Sequence, residues 1–130
     1  MISVLLIDDD PELLEIISLE IGRDGDFSIQ MCDSPFAALE LAQMQKFDSI
    51  VCDFSMPGMD GGSLLQFLRS HGCTAQLILY SGNELDEELK NSLTGCVDAY
   101  VQREGNPEAE FSKLKEIIRT ASTAKQQHPF

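Results

Sequence analysis

At 130 residues and 43% hydrophobic content, the chain carries enough apolar material for one core and too little for two. Nine Lys and Arg against 22 Asp and Glu leave a formal charge of −13, which repels phosphate backbones and anionic headgroups and argues against direct nucleic-acid or membrane binding. No apolar run approaches the roughly 20 residues of a membrane span, and the start lacks a basic region followed by a long apolar stretch, so a cytoplasmic protein is the expectation.

The first predicted element is the strand "SVLLI", residues 3–7, too uniformly apolar to have a wet face. It runs straight into Asp8, Asp9 and Asp10. A helix follows, with Leu13, Leu14, Ile17 and Ile21 in one stripe, Asp10 and Pro11 at its start, acids in its first turns and Gly22 closing it. After the turn residues "RDGD", "FSIQMC" (27–32) alternates as a strand does, and a second helix over 34–45 is opened by Ser34 and Pro35, with Phe36, Leu39, Leu41 and Ala42 as its apolar positions.

The plan then repeats. "SIVCDF" (49–54) is a buried strand, "SMPGMDGG" a loop, and a third helix carries Leu64, Leu65, Phe67 and Leu68. "AQLILYS" (75–81) is the fourth strand. A short acidic helix spans about 84–94 on Leu85, Leu89 and Leu93, and "DAYV" (98–101) is a brief fifth strand. The last helix opens at "NPEAEF" and runs to about Ala124, with Phe111, Leu114, Ile117 and Ile118 inward.

Five strands alternating with five helices fit a flavodoxin-like (βα)5 doubly wound parallel sheet of order 2-1-3-4-5, because right-handed crossovers leave few other topologies. Ligands of such sheets bind at the carboxyl ends of the strands. Asp8 and Asp9 follow the first strand, Asp53 closes the third, Ser81 ends the fourth and Arg103 lies just past the fifth. Helix capping alone does not explain Asp53 and Ser81 at the ends of buried strands. Three carboxylates gathered there raise one another's pKa, and a divalent cation relieves the repulsion. Carboxylate, carbonyl and water oxygens describe an octahedral Mg²⁺ site with room for a phosphoryl group, and Mn²⁺ is the alternative ion. Ser81 could donate to a phosphoryl oxygen and Arg103 neutralise its charge.

The segments "VLLIDDDP", "IVCDFSMPGMDGGSLL", "LILYSG" and "DAYV" together resemble the receiver domains of two-component response regulators over nearly the whole chain. The resemblance implies a receiver domain at 1–124 and a short tail at 125–130. It implies that Asp53 accepts a phosphoryl group from a partner histidine kinase, a phosphotransfer protein or a small phosphodonor. Asp8 and Asp9 would hold the metal with Asp53 and the backbone carbonyl of Ser55. Ser81 would be the switch hydroxyl and Tyr100 the aromatic rotamer switch, read out on the face of the fourth helix, fifth strand and fifth helix, which is also a candidate dimer surface. Ser55 and Asn83 would tune the lifetime of the modification.

The chain departs from the family after its fifth strand, where receivers carry Lys-Pro and this sequence has Arg103 and Glu104. Arg reaches differently from Lys, and without Pro a cis peptide would cost about 2.5 to 4 kcal/mol. A trans 103–104 peptide and a re-routed loop are expected. The segment "YVQREGNPEAEF" also resembles a subset of archaeal receivers with "Q-K-G" here. Arg103 either replaces the Lys or pairs with Asp8 and Asp9 as a surface ion pair.

Two other readings stay open at this point. Asp8-x-Asp10 after an apolar strand resembles the first motif of haloacid-dehalogenase-type phosphohydrolases, with Asp8 as nucleophile, but leaves "CDFSMPGMDG" without a task. A degenerate receiver would keep the fold as an unphosphorylated docking module. In neither receiver reading is a multiple-turnover substrate expected. Cys32, Cys52, Cys73 and Cys96 are too scattered for a zinc or redox pair and are read as reduced small hydrophobes. His71 suits a helix C-terminus and His128 is given no role. Only "KQQHPF" follows Ala124, so output is expected to pass through another protein or a fused module.

Overall fold

The computed structural model describes residues 1–82 and 85–127, with side chains as far as Thr120. Its elements are β1 (Ile2–Ile7), α1 (Pro11–Ile21), β2 (Phe27–Cys32), α2 (Pro35–Met44), β3 (Ser49–Cys52), α3 (Gly61–Ser70), β4 (Gln76–Ser81), α4 (Glu87–Ser92), β5 (Ala99–Gln102) and α5 (Pro107–Gln127). All strand pairings are parallel and the order is β2-β1-β3-β4-β5. This is the expected doubly wound sheet.

Alternation along the strands divides the core into two layers. Leu5, Ile7, Ile50, Cys52, Leu77 and Leu79 face Leu64, Leu65 and Leu68 of α3. Val4, Leu6, Val51, Ile78, Tyr80 and Val101 face α1 and α5, where Leu14, Ile17, Ile21, Leu114 and Ile118 meet them. Because both faces are covered, β1, β3 and β4 read as unbroken apolar runs. The helices start where their caps dictate: Asp10 accepts from the amides of Glu12 and Leu13, Ser34 from Ala37, Asp60 from Ser63 and Asp86 from Leu89.

Several expected boundaries and faces are corrected. Pairing of β3 stops at Cys52 rather than Phe54, since the chain turns at Asp53 and the amide of Gly61 returns to the Phe54 carbonyl at 2.7 Å. That return needs a glycine, as a Cβ at Gly61 would stand 2.1 Å from the Asp53 carbonyl oxygen. The acidic helix α4 is six residues long, because the Asp86 cap delays its start beyond buried Leu85. β5 lies one residue later than expected: Asp98 uses its carboxylate to accept from the Leu77 amide and Arg69. Helix α5 continues to Gln127, past Ala124. Phe36, expected inward, is 57% exposed, because Pro35 and Ala38 hold the buried stripe of α2 and leave Phe36 one position off it. Phe67 is partly exposed and stacks on His71 at 3.9 Å between ring centroids.

These placements separate two apolar truncations. Leu77→Ala, at a fully buried site, is expected to cost about 2 to 5 kcal/mol in urea unfolding, whereas Phe36→Ala should cost under about 1 kcal/mol.

Candidate functional site

The carboxyl ends of β1 and β3 are locked together by a hydrogen bond from the Asp53 amide to the Ile7 carbonyl at 2.9 Å, and the Asp8 amide reaches the Cys32 carbonyl of β2 at 3.2 Å. Asp8 and Asp53 continue the alternation of Val4, Leu6 and Val51, so both side chains leave the sheet on the α1 and α5 side. Asp8 and Asp53 are buried and Asp9 is exposed. One carboxylate oxygen from each of the three lies within 4.8 Å of the others. Asp10 does not join them. It caps α1, as the sequence suggested, and its own amide donates to Asp8 Oδ1 at 2.9 Å.

Crowding and burial have an electrostatic cost. Burial pushes the Asp8 carboxyl up to about 6, helped by the charges of Asp53 and Asp9, although the Asp10 amide holds it lower than burial alone would. Asp53 is raised for the same main reason, with Arg103 and the amides of Phe54 and Ser55 pulling the other way. An all-oxygen donor set with raised carboxyl pKa values fits a hard divalent cation such as Mg²⁺ or Mn²⁺.

Arg103 closes the site from the β5 side. Its Nη2 stands 3.7 Å from Asp53 Oδ1, its guanidinium carbon lies 5.4 Å from the centre of the Tyr80 ring, and its buried Nε has no hydrogen-bond partner among the described residues. Its ion pair is with Asp53, and Asp8 and Asp9 feel it at most at longer range. Among the described residues no peptide bond is cis, so the 103–104 bond is trans as expected. The Arg103 amide donates to the Ser81 carbonyl at 2.8 Å, joining the ends of β4 and β5. Ser81 is buried and borders a cavity of about 230 Å³ that it shares with Leu85, Lys90, Tyr100 and Lys113. Tyr100 lies half-buried with Lys90 5.7 Å from its ring centre.

The structure thus brings Asp8, Asp9, Asp53 and Arg103 together, sets Ser55 against Asp53 through its amide, and places Ser81 and Tyr100 on the cavity behind them. Asn83 lies outside the described residues. Three contributors escaped the sequence reading. Gly82 gives the guanidinium its room: a Cβ there would stand 3.0 Å from Arg103 Nη2. Tyr80 supplies the ring beside it, with a phenol that burial pushes up to about 12. Glu110, buried in the first turn of α5, accepts from the amides of Glu104 and Asn106. The signals were present as a Gly after Ser81 and an acid four residues after Asn106, but each is also an ordinary turn or helix-start residue.

Comparison with known proteins gives the family. The chain belongs to the response regulator receiver domain family, whose pattern matches residues 4–118. It is 28% identical over 118 residues to the probable transcriptional regulatory protein TcrX of Mycobacterium tuberculosis, covering 91% of this chain and 50% of that one. It is 31% identical over 100 residues to the transcriptional activator protein PfeR of Pseudomonas aeruginosa, covering 77% and 32%. The chain therefore spans half or less of these relatives. Its fold matches the receiver domain of the Francisella response regulator 1452 with a TM-score of 0.84 at 24% identity, over 96% of this chain and 99% of that one. It also matches TrrA of Thermotoga maritima, in complex with Mg²⁺-BeF, with a TM-score of 0.78 at 23% identity, over 93% and 99%. The chain is a receiver domain of the two-component kind. The phosphohydrolase reading receives no support, and Asp10, the second acid of its motif, accepts from helix amides.

The raised Asp8 carboxyl has a pH signature. Its folded pKa lies above the unfolded value of 3.8, so its contribution favours folding most below that unfolded value and is lost as pH rises through about 6. Without metal at pH 7.5, Asp8→Asn should therefore melt higher than wild type, by on the order of 5 °C. The gap should close as thermal melts are repeated toward pH 4.

Proposed function

We propose that this receiver accepts a phosphoryl group on Asp53 from a histidine kinase or phosphotransfer protein in the cytoplasm, and passes the signal to a separate output protein or fused module. The observation that supports this best is the placement of Asp53: buried at the end of a central strand, within 4.8 Å of two further carboxylates and facing a guanidinium. A carboxylate oxygen of Asp53 attacks phosphorus, the bond from phosphorus to the donor nitrogen breaks, and the electron pair leaves with the donor imidazole. Such a transfer depends on positioning and charge neutralisation.

Asp8, Asp9 and Asp53, with the Ser55 carbonyl, would hold Mg²⁺ or Mn²⁺, which when bound neutralises charge on the carboxylates and the phosphoryl oxygens. Arg103, beside Asp53, offsets further negative charge in the role that Lys has elsewhere in the family. The Ser81 hydroxyl donates to a phosphoryl oxygen, and Tyr100 turns toward the cavity that it shares with Ser81. That movement alters the face formed by α4, β5 and α5, the surface offered to the output partner or to a second copy. Ser55 and Asn83, the latter outside the described residues, would tune the lifetime of the acyl phosphate. The reaction is one modification per chain rather than turnover of a substrate. The Mg²⁺-BeF complex of TrrA supports the ion and the class of ligand.

Intact-mass spectrometry after incubation with acetyl phosphate and Mg²⁺ tests the proposal. Wild type should gain one phosphoryl group and Asp53→Ala none. A docking module would show neither Mg²⁺ binding nor a response to beryllofluoride, and repeated turnover of phosphate esters lost with Asp8→Asn would favour a hydrolase.

The room that Gly82 leaves for Arg103 gives a second expectation. Gly82→Ala should slow phosphorylation by roughly tenfold, the scale of a weakened charged hydrogen bond, and should slow an Arg103→Lys variant much less, because the narrower ammonium clears the added methyl. Equal slowing in both backgrounds would remove Gly82 from the account.

A further inference from the structure

The loop after β5 poses a problem of backbone chemistry. Where receivers have a Pro, which lacks an N–H, this chain has Glu104, whose amide needs a partner in a partly buried position. One oxygen, Glu110 Oε2, meets that need: it accepts from the Glu104 amide and, at 3.4 Å, from the Asn106 amide. Glu110 is itself fixed in place. Its own amide donates to the Asn106 carbonyl at 3.1 Å, while Asn106 Oδ1 accepts from the Ala109 amide at 3.2 Å. The result is a reciprocal helix cap related to the capping box, with the returning acid one residue later than usual. A carboxylate only 9% exposed on the first turn of α5 is thus bound to the backbone next to Arg103.

Few other contacts hold Arg103 at the acceptor. Among the described residues its Nε is unbonded, its Nη2 is 3.7 Å from Asp53, and the Tyr80 ring and Gly82 stand beside it. A long side chain with so few directional bonds takes its direction from its backbone. That backbone is pinned on one side by the Ser81 carbonyl and on the other by Glu110.

We propose that Glu110 is a positioning residue for phosphoryl transfer. It clamps the 104–106 backbone so that Arg103 points at Asp53, and it does in this chain what a Pro after the strand does by restricting the backbone directly. This inference rests on the reading of Asp53 as acceptor with Arg103 as its cationic partner.

The test compares Glu110→Met, which keeps the volume and loses the acceptor, with Glu110→Gln, whose side-chain oxygen can still take both amides. Phosphorylation of Asp53 by acetyl phosphate is followed by intact mass, Mg²⁺ affinity by calorimetry and folding by thermal melting. E110M should slow phosphorylation by about as much as Arg103→Ala, on the order of tenfold, with Mg²⁺ affinity within about twofold of wild type. E110Q should restore most of the rate. The double variant R103A/E110M should be no slower than R103A alone, because Glu110 acts through Arg103. Wild-type speed in E110M, or additive losses in the double variant, would overturn the proposal.

Amide exchange in wild type tests the clamp even if E110M does not fold. The amides of Glu104 and Asn106 should exchange at least about tenfold more slowly than that of Gly105 between them, and equal rates would overturn it. Failure of wild type to take up phosphate would instead count against the acceptor role of Asp53, which keeps the two proposals separable.

Discussion

Gathering three carboxylates within 4.8 Å is the constraint to which the rest of this molecule answers. Like charges in a half-desolvated site resist one another, and a chain left to relax would spread them. They are held because Asp8 and Asp53 are not loop residues free to swing away: each follows directly on a strand buried on both faces, and the Asp53 amide is tied back to Ile7. The two apolar layers fix the sheet, and the sheet fixes the charges. The stability of the core is in this sense spent on an electrostatically unfavourable arrangement, as sites that bind cations and phosphate require.

The architecture was legible because its signals are long and redundant. Buried strands as uniform as "SVLLI" and "AQLILYS", alternating with capped helical stripes, admit few topologies, and the rule that ligands sit at carboxyl ends picked out Asp8, Asp9, Asp53, Ser81 and Arg103 without knowledge of any contact. Errors arose where one residue decided the outcome. The length of α4 depends on whether Asp86 caps it, and the direction of Phe36 on a single step of helical phase. Neither has a periodic signal. The reach of Arg103 was open for a related reason: a side chain of that length could equally have turned to Asp8 and Asp9, and its turn to Asp53, with Gly82 and the Tyr80 ring beside it, has no periodic signal either.

The two sides of the sheet carry different tasks. Asp8, Asp53, Tyr80 and Val101 fall on the α1 and α5 side, with Arg103 next in the same alternation, whereas Ser81 and Tyr100 continue the rows of Leu79 toward α3 and α4. The charges that would receive a phosphoryl group thus stand on one side, and the hydroxyl and ring that would respond stand on the other. The link between them is short: the Arg103 amide on the Ser81 carbonyl, at 2.8 Å. A change in charge at Asp53 is felt by Arg103, and the backbone of Arg103 is bonded to that of Ser81, so this hydrogen bond joins the receiving and responding halves at the ends of β4 and β5.

Replacing Lys-Pro by Arg-Glu changes more than two side chains. A guanidinium is wider than an ammonium, and the position beside it is a glycine. It presents a flat face, and the residue on that face is Tyr80 rather than an aliphatic one. A free amide appears where Pro has none, and a buried carboxylate on α5 accepts it. Each of Gly82, Tyr80 and Glu110 is unremarkable alone, and each answers a different physical consequence of the same substitution. The local agreement of size, ring and hydrogen bond places the distinguishing chemistry of this chain at the end of β5.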